Sequence, residues 1–176
     1  MKTEHIYKSL PSQMTKVQFL KCFGSVYESS PWIAETAWDL GQIDSKAIDS
    51  AEKLSSIFSQ IVDKASDEKK LALLNAHPDL AGKLAIAGKL TADSSKEQAG
   101  ADLQNCTKEE FEQFQKLNTN YKEKFGFPFI LAVQGYQRSE ILKIFEKRIK
   151  NSIEEEYKVA LAQVNRIALL RLGRIE

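Results

Sequence analysis

Residues 44–61 read DSKAIDSAEKLSSIFSQI, and the apolar side chains in this stretch recur three or four positions apart, as on one face of an α-helix. These side chains are Ala47, Ile48, Ala51, Leu54, Phe58 and Ile61. The same spacing occurs in residues 17–27, 111–125 and 153–172. The pattern therefore predicts an all-α protein, built as a single-domain helical bundle.

Local signals place the ends of several predicted helices. Ser30-Pro31-Trp32 is typical of a helix start, and a helix over residues 67–74 should end before Pro78, because a residue that precedes proline disfavours the helical conformation. Three further helices are predicted from capping boxes, in which a serine or threonine N-cap is followed three residues later by glutamate. These boxes are Ser94 with Glu97, Thr107 with Glu110, and Ser152 with Glu155.

Residues 125–133 read FGFPFILAV and form the one strand candidate of the sequence. Gly126 and Pro128 interrupt it, and proline removes a backbone donor from the middle of the run. We therefore predict an irregular, aromatic-rich connection, whose free N–H and C=O groups could hold a planar heterocycle.

Composition limits the function classes. The chain has 176 residues, of which 43% are hydrophobic, and it carries 25 basic against 24 acidic residues. This predicts one domain over residues 1–176, and it gives no electrostatic reason for binding nucleic acid or a membrane surface. Cys22 and Cys106 lie far apart, and no signal peptide or membrane-spanning run is evident. We expect a cytoplasmic protein with reduced thiols and no metal site.

Histidine is the side chain best suited to moving protons near neutral pH. Apart from His5 at the extreme N-terminus, His77 is the one histidine of the chain, and it stands before Pro78 at a helix break. His77 is therefore the first candidate for an acid–base catalyst. The alternative is a helix-boundary histidine that backbone groups satisfy, or a cap of the helix that follows.

Two charged residues also have a structural and a functional interpretation. Glu97 occupies the glutamate position of a capping box, but with Ser94 and Gln98 it could also hold a polar, partly anionic molecule at a helix N-terminus. Arg171 continues the apolar stripe of the last predicted helix, which contains Tyr157, Leu161, Val164 and Ala168. A guanidinium buried on that stripe needs an anion. That anion could be Glu97, another acid or a bound carboxylate; alternatively, the helix end frays and water solvates Arg171.

Several motifs occur together in a fixed order. They are Val26-Tyr27-Glu28-Ser29-Ser30-Pro31-Trp32, His77-Pro78-Asp79-Leu80-Ala81, Ser94-Ser95-Lys96-Glu97-Gln98, Lys124-Phe-Gly-Phe-Pro-Phe-Ile130 and Leu170-Arg171-Leu172. In this combination the chain resembles the OHCU decarboxylase family, which acts on 2-oxo-4-hydroxy-4-carboxy-5-ureidoimidazoline (OHCU) in urate breakdown. The resemblance extends over about residues 12–172, and it implies that these residues form the core of the domain. The resemblance implies a carboxy-lyase of purine catabolism that forms (S)-allantoin and carbon dioxide without a metal or an organic cofactor.

The resemblance also implies residue roles and partners. The catalytic histidine and glutamate of the family match His77 and Glu97, and its arginine in the closing helix matches Arg171. Its substrate-binding positions match Pro78, Ser94, Ser95, Lys96, Gln98, Phe129, Ile130, Leu131, Ala132 and Val133. The implied partner is the small-molecule substrate, with a functional link to a 5-hydroxyisourate hydrolase, and a homodimer is compatible with it.

Two alternatives remain on the residues alone. The first is a non-enzymatic helical interaction module, in which an aromatic face around Phe129 binds another protein. The second is a lyase that acts on a related ureido acid.

Overall fold

The computed structural model describes residues 7–44, 48–81 and 91–176, apart from the side chain of Gln104. Within these ranges it contains eight α-helices, two short 3₁₀ helices and no β-strand. The α-helices are α1 (Lys16–Phe23), α2 (Trp32–Asp39), α3 (Ala51–Lys64), α4 (Asp67–Asn75), α5 (Ala92–Gly100), α6 (Lys108–Phe125), α7 (Arg138–Arg148) and α8 (Ile153–Leu172). The predicted all-α fold is confirmed. No described helix is both long and apolar enough to cross a membrane.

The chain divides into two compact units. The first unit comprises Met1–Ala76 and Asn165–Glu176, and the second comprises His77–Val164. The last helix, α8, therefore contributes residues to both units. The expectation that residues 1–176 act as one domain remains a prediction.

The core of the first unit is aromatic and confirms most of the predicted helical faces. Phe19 is fully buried, and its ring centroid lies 5.0 Å from that of Phe23 and 6.4 Å from that of Phe58. On α3 the predicted stripe is buried at Ala51, Leu54, Phe58 and Ile61. Two details differ from the prediction. Ile48 is buried but precedes the helix, and Val17 is 79% exposed, so that the buried face of α1 begins at Phe19. Ala47 lies outside the described residues.

The core of the second unit is arranged around Tyr121 of α6. The ring of this buried tyrosine contacts those of Phe125, Phe127, Phe129 and Phe145, with centroids 4.5 to 5.9 Å apart. Gly126 ends α6 in the left-handed conformation, with φ 78°. Residues 127–133 then run as a buried loop without regular structure, as the glycine and proline predicted.

The three predicted capping boxes have different outcomes. The box of Thr107 and Glu110 is present, and Ser152 Oγ accepts a hydrogen bond from the Glu155 N–H at 3.2 Å. The box of Ser94 and Glu97 is wrong. Helix α5 begins three residues earlier than the prediction, because Thr91 is the N-cap and its side chain accepts from the Ser94 N–H at 3.3 Å. Glu97 therefore lies in the interior of α5 and does not cap it.

Two glycines give a matched test of the backbone argument, because a Cβ at either Gly126 or Gly100 would meet no atom within 4 Å. Only Gly126 has a positive φ. We expect Gly126→Ala to lower the free energy of unfolding by about 1–2 kcal/mol, since an L-residue is strained there. Gly100→Ala should leave it unchanged or raise it by up to about 1 kcal/mol, because alanine favours a helix. Urea denaturation of both variants measures the difference; equal effects would contradict the role of Gly126.

Candidate active site

Residues 77–81, the HPDLA motif, form an irregular segment that the side chain of Gln98 holds in place. The Ala81 N–H donates to Gln98 Oε1 at 3.1 Å, and Gln98 Nε2 donates to the carbonyl of Asp79 at 3.2 Å. Gln98 is only 2% exposed. One buried amide therefore joins the HPDLA motif to the SSKEQ motif of α5. The amide retains one N–H donor and one acceptor lone pair beyond these two bonds.

Helix α6 holds the same segment from a second direction. Gln115 Nε2 donates to the carbonyl of Ala81 at 3.0 Å, and Asn118 Nδ2 donates to that of Leu80 at 2.9 Å. Ala81 itself has φ 48°, in the left-handed region that an alanine rarely adopts. Such a conformation persists only where surrounding contacts determine it, and it is common at functional sites.

His77 precedes this braced segment and follows Ala76, the C-cap of α4, directly in the chain. It is 9% exposed, so the imidazole is almost entirely enclosed. The predicted end of the preceding helix is confirmed. The alternative that His77 caps a helix beginning at Pro78 is wrong, because residues 78–81 are not helical.

Helix α5 presents an unusual buried face, because that face is polar. Ser94 is 4% exposed and lies one turn from Gln98, and the half-buried Glu97 lies on the same side at a rotation of about 100° per residue. Lys96 is exposed on the opposite side, and Ser95 is half-buried between the two. The structure thus brings Ser94, Glu97 and Gln98 onto one face and keeps Lys96 away from it.

Residues 129–133 are all buried, and none is more than 7% exposed. The Ala132 N–H donates to Gln163 Oε1 at 3.0 Å, and the carbonyl of Val133 accepts from Tyr136. Within the described part of the chain, the N–H groups of Leu131 and Val133 have no hydrogen-bond partner. Buried backbone donors are almost always satisfied, so these two groups are candidates for binding a ligand.

Arg171 forms a buried ion pair in the first unit. Its Nη2 lies 3.0 Å from Glu28 Oε2, with both side chains at most 5% exposed, and its Nη1 donates to the carbonyl of Val26 at 3.3 Å. Of the partners left open by the sequence, the structure thus shows another acid. The alternative of a frayed helix end with a solvated arginine is wrong.

Sequence reasoning gave no role to Glu28 or Glu156. Glu28 stands between Tyr27 and Ser29 in the quoted motif, and Ser29 has φ 45°. In the first half of α8 the buried stripe is one residue earlier than predicted, because Glu156 and Ala160 are buried while Tyr157 and Leu161 are only half-buried. In the second half the prediction is confirmed, since Val164, Ala168 and Arg171 are buried. Glu156, Ala160 and Val164 are spaced four residues apart, which is the sequence pattern that could have placed Glu156 on the buried face. A carboxylate is rarely assigned to a buried face, because charged residues are almost never fully buried unless they are paired.

The described residues hold no group of three or more histidine, cysteine, aspartate or glutamate side chains that could bind a metal ion. Cys22 is exposed and Cys106 is half-buried, and both are free thiols. Burial raises the pKa of the Cys106 thiol, and the nearby Glu110 carboxylate raises it further. The prediction of no metal and no cofactor remains untested.

Three comparisons with known proteins agree in their result. The family model for OHCU decarboxylase matches residues 12–173. The chain is 40% identical to the 2-oxo-4-hydroxy-4-carboxy-5-ureidoimidazoline decarboxylase of Haloferax volcanii, over 88% of this chain and 87% of that one. It is 35% identical to the uric acid degradation bifunctional protein of Bacillus sp. (strain TB-90), over 93% of this chain but 31% of that protein. A crystal structure of (S)-allantoin synthase is 32% identical with a TM-score of 0.72, and the match covers 92% of this chain and half of the crystallised one.

The ion pair of Arg171 and Glu28 gives a stability prediction. We expect Arg171→Met to lower the free energy of unfolding by about 3–5 kcal/mol, because it leaves the Glu28 carboxylate buried without its cation. Adding Glu28→Leu should restore most of that loss, since a buried pair can be replaced by apolar groups. Chemical denaturation of the two variants measures both values. If Arg171→Met is as stable as the wild type, the ion pair does not contribute to the stability of the fold.

Proposed function

Because the chain belongs to the OHCU decarboxylase family, we propose that it removes the carboxyl group of OHCU as carbon dioxide and releases (S)-allantoin, in the breakdown of urate. The observation that carries this function is the match over residues 12–173, which includes the HPDLA and SSKEQ motifs that Gln98 joins. The enzyme is accordingly a carboxy-lyase.

The reaction makes modest demands on the protein. When the bond to the carboxylate breaks, its electron pair enters the adjacent C=N of the substrate ring, so the substrate supplies its own electron sink. The protein must then orient the ring, complement the negative charge and deliver a proton to one face. Proton delivery to one face is what makes the product a single enantiomer.

His77 is the proposed proton carrier. Its imidazole is almost fully enclosed, and the segment that follows it is fixed by Gln98, Gln115 and Asn118. Enclosure keeps water from delivering the proton to the wrong face, and a fixed backbone limits the positions that the imidazole can take. Pro78, next to it, is the proposed apolar wall of the site.

The remaining roles follow from position and charge. Glu97 does not cap α5, and it is the proposed partner of His77 or the proposed anchor of the ureido group. Ser94 lies on the same face of α5 and is a proposed substrate contact. The backbone of residues 129–133 is proposed to hold the ring through the N–H groups of Leu131 and Val133. Arg171, oriented by Glu28, is the proposed counter-ion for the substrate anion. The positions of Ser95 and Lys96 give no support to a substrate contact.

The proposed alternatives are less well supported. An interaction module needs an exposed aromatic face, but Phe127 and Phe129 are each 1% exposed. The Bacillus relative joins a matching region to a longer remainder in one bifunctional chain, which supports a link to another step of uric acid degradation, such as a 5-hydroxyisourate hydrolase. A homodimer stays a prediction.

The direct test is to add the purified protein to freshly generated OHCU and to follow the circular dichroism of allantoin. The expected result is faster formation of one enantiomer than in the spontaneous reaction. Formation of racemic allantoin at the spontaneous rate would overturn the proposed function. Turnover of a related ureido acid, but not of OHCU, would support the second alternative.

His77→Asn should lower kcat by about 10²–10⁴-fold, the usual contribution of a general acid–base residue. The far-ultraviolet circular dichroism should not change, because asparagine fits the volume of the imidazole and leaves the braced segment intact. Initial rates at saturating OHCU provide the measurement. Nearly normal kcat would remove His77 from the mechanism.

Glu97→Gln should lower kcat/KM by at least about tenfold if the carboxylate acts on the substrate, since a charge-assisted hydrogen bond contributes about 1.5–3 kcal/mol. Stability should change by less than about 0.5 kcal/mol, because Glu97 caps no helix. Glu123→Gln, on the exposed side of α6, is the control and should be indistinguishable from the wild type. Full activity of Glu97→Gln would exclude a catalytic role.

A further inference from the structure

The second unit contains a buried ion pair that the proposed mechanism does not use. Arg148 Nε and Nη2 lie 2.9 and 2.5 Å from Glu156 Oε1, and the two residues are 7% and 0% exposed. Tyr121 donates its hydroxyl to the same oxygen, and Asn151 Nδ2 donates to Glu156 Oε2 at 2.7 Å. Burial raises the pKa of Tyr121, and the hydrogen bond to Glu156 raises it further, so that the phenol stays protonated and donates.

The guanidinium of Arg148 also reaches the loop that is proposed to hold the substrate. Its Nη1 donates to the carbonyl of Ile130 at 2.7 Å, and its Cζ lies 4.5 Å from the centre of the Phe129 ring. The Phe129 ring stacks on Phe145, with centroids 3.8 Å apart and planes 11° apart. Glu156 thus fixes one side of the guanidinium, and the other side fixes the backbone of the loop.

This contact is one of two clamps on the same short segment. Arg148 holds the carbonyl of Ile130, and Gln163 holds the N–H of Ala132. Leu131 lies between the clamps and Val133 lies directly after them, and these are the residues whose N–H groups are candidates for ligand binding. Because the segment has no regular structure of its own, the direction of those N–H groups depends on the clamps.

Stability alone is a weak reason for such a pair, since apolar residues of similar size often stabilise a core as well as a buried ion pair does. A guanidinium has five N–H donors in a rigid planar fork, so it can bind a carboxylate on one side and a carbonyl on another. Neither an apolar side chain nor a lysine can make both contacts in the same fixed geometry.

We propose that Arg148, itself oriented by Glu156, is a positioning residue for the reaction, which sets the backbone of residues 129–133 against the ring of the substrate. This inference rests on the proposed function. Arg148 does not touch the reacting atoms. The backbone groups that it positions would bind the ring equally in the ground state and in the transition state. Loss of the Arg148 contact should therefore weaken substrate binding more than it slows the chemical step.

Arg148→Lys separates the two contacts, because the ammonium keeps the charge opposite Glu156 but cannot also reach Ile130 in the same geometry. We expect KM for OHCU and the calorimetric Kd for (S)-allantoin to rise by the same factor, on the order of tenfold, because the misdirected N–H groups of the loop would lose hydrogen bonds to the ligand. The kcat and its pH profile should change little.

Arg138→Lys is the matched control. Arg138 also donates to backbone carbonyls, those of Asp102 and Asn105, and it also pairs with two acids, but it lies outside the proposed site. It should leave KM and the allantoin Kd unchanged. Glu156→Gln provides a second variant, which keeps an acceptor for Arg148 and should raise KM in the same direction but by a smaller factor.

The outcomes separate this inference from the proposed function. If the wild type does not accelerate OHCU breakdown, the proposed function fails. If the wild type is active, Arg148→Lys decides the role of Arg148, and Glu156→Gln replaces it where Arg148→Lys does not fold. A lower melting temperature with KM and the allantoin Kd at the wild-type values would show that Arg148 only stabilises the fold. A parallel rise in KM and Kd supports the positioning role.

Discussion

The structure depends on one constraint, which is that buried irregular backbone must find hydrogen-bond partners outside regular secondary structure. In the second unit, the amide of Gln98 satisfies Asp79 and Ala81 together, with α6 completing the segment through Gln115 and Asn118. Long polar side chains of α7 and α8 do the same for residues 130 and 132. In the first unit, Arg171 binds the carbonyl of Val26. In every case a helix supplies the rigid support, and in the second unit the irregular segments contain His77 and residues 129–133, to which the proposed chemistry is assigned.

The same constraint explains where this protein buries charge. The buried stripe of α8 contains a carboxylate in its first turn and a guanidinium in its last turn. Each forms an ion pair within its own unit, Glu156 with Arg148 and Arg171 with Glu28. Buried pairs contribute little net stability, but each of these pairs also directs an arginine onto a backbone carbonyl. The strained residues Ala81 and Ser29 both lie in segments that helix side chains bind, Gln98 and Gln115 at Ala81 and Arg171 at Val26 near Ser29. Strain of this kind is tolerated only where several contacts determine the conformation.

Much of the fold could be predicted from the sequence, because helices depend on local periodicity. The bounds of α8 match the prediction, and the aromatic loop follows from Gly126 and Pro128. The errors have physical causes. Thr91 and Ser94 are both good N-caps, and spacing alone does not show which one the chain uses. Glu28 and Glu156 were missed because their partners, Arg171 and Arg148, become apparent only in the folded structure. The role of Gln98 was equally inaccessible, since a side chain that binds a distant backbone leaves no periodic signal.

The central claim is that side chains of the helices fix the irregular backbone of the site, and its most direct test is a crystal structure of the protein in complex with (S)-allantoin. We predict that the Gln98 amide remains bound to Asp79 and Ala81, that Arg148 remains on the carbonyl of Ile130, and that the N–H groups of Leu131 and Val133 donate to the ligand. An allantoin molecule that is bound elsewhere, or a Gln98 amide that has left both backbone partners to bind the ligand, would contradict the view that side-chain clamps set the backbone of the site.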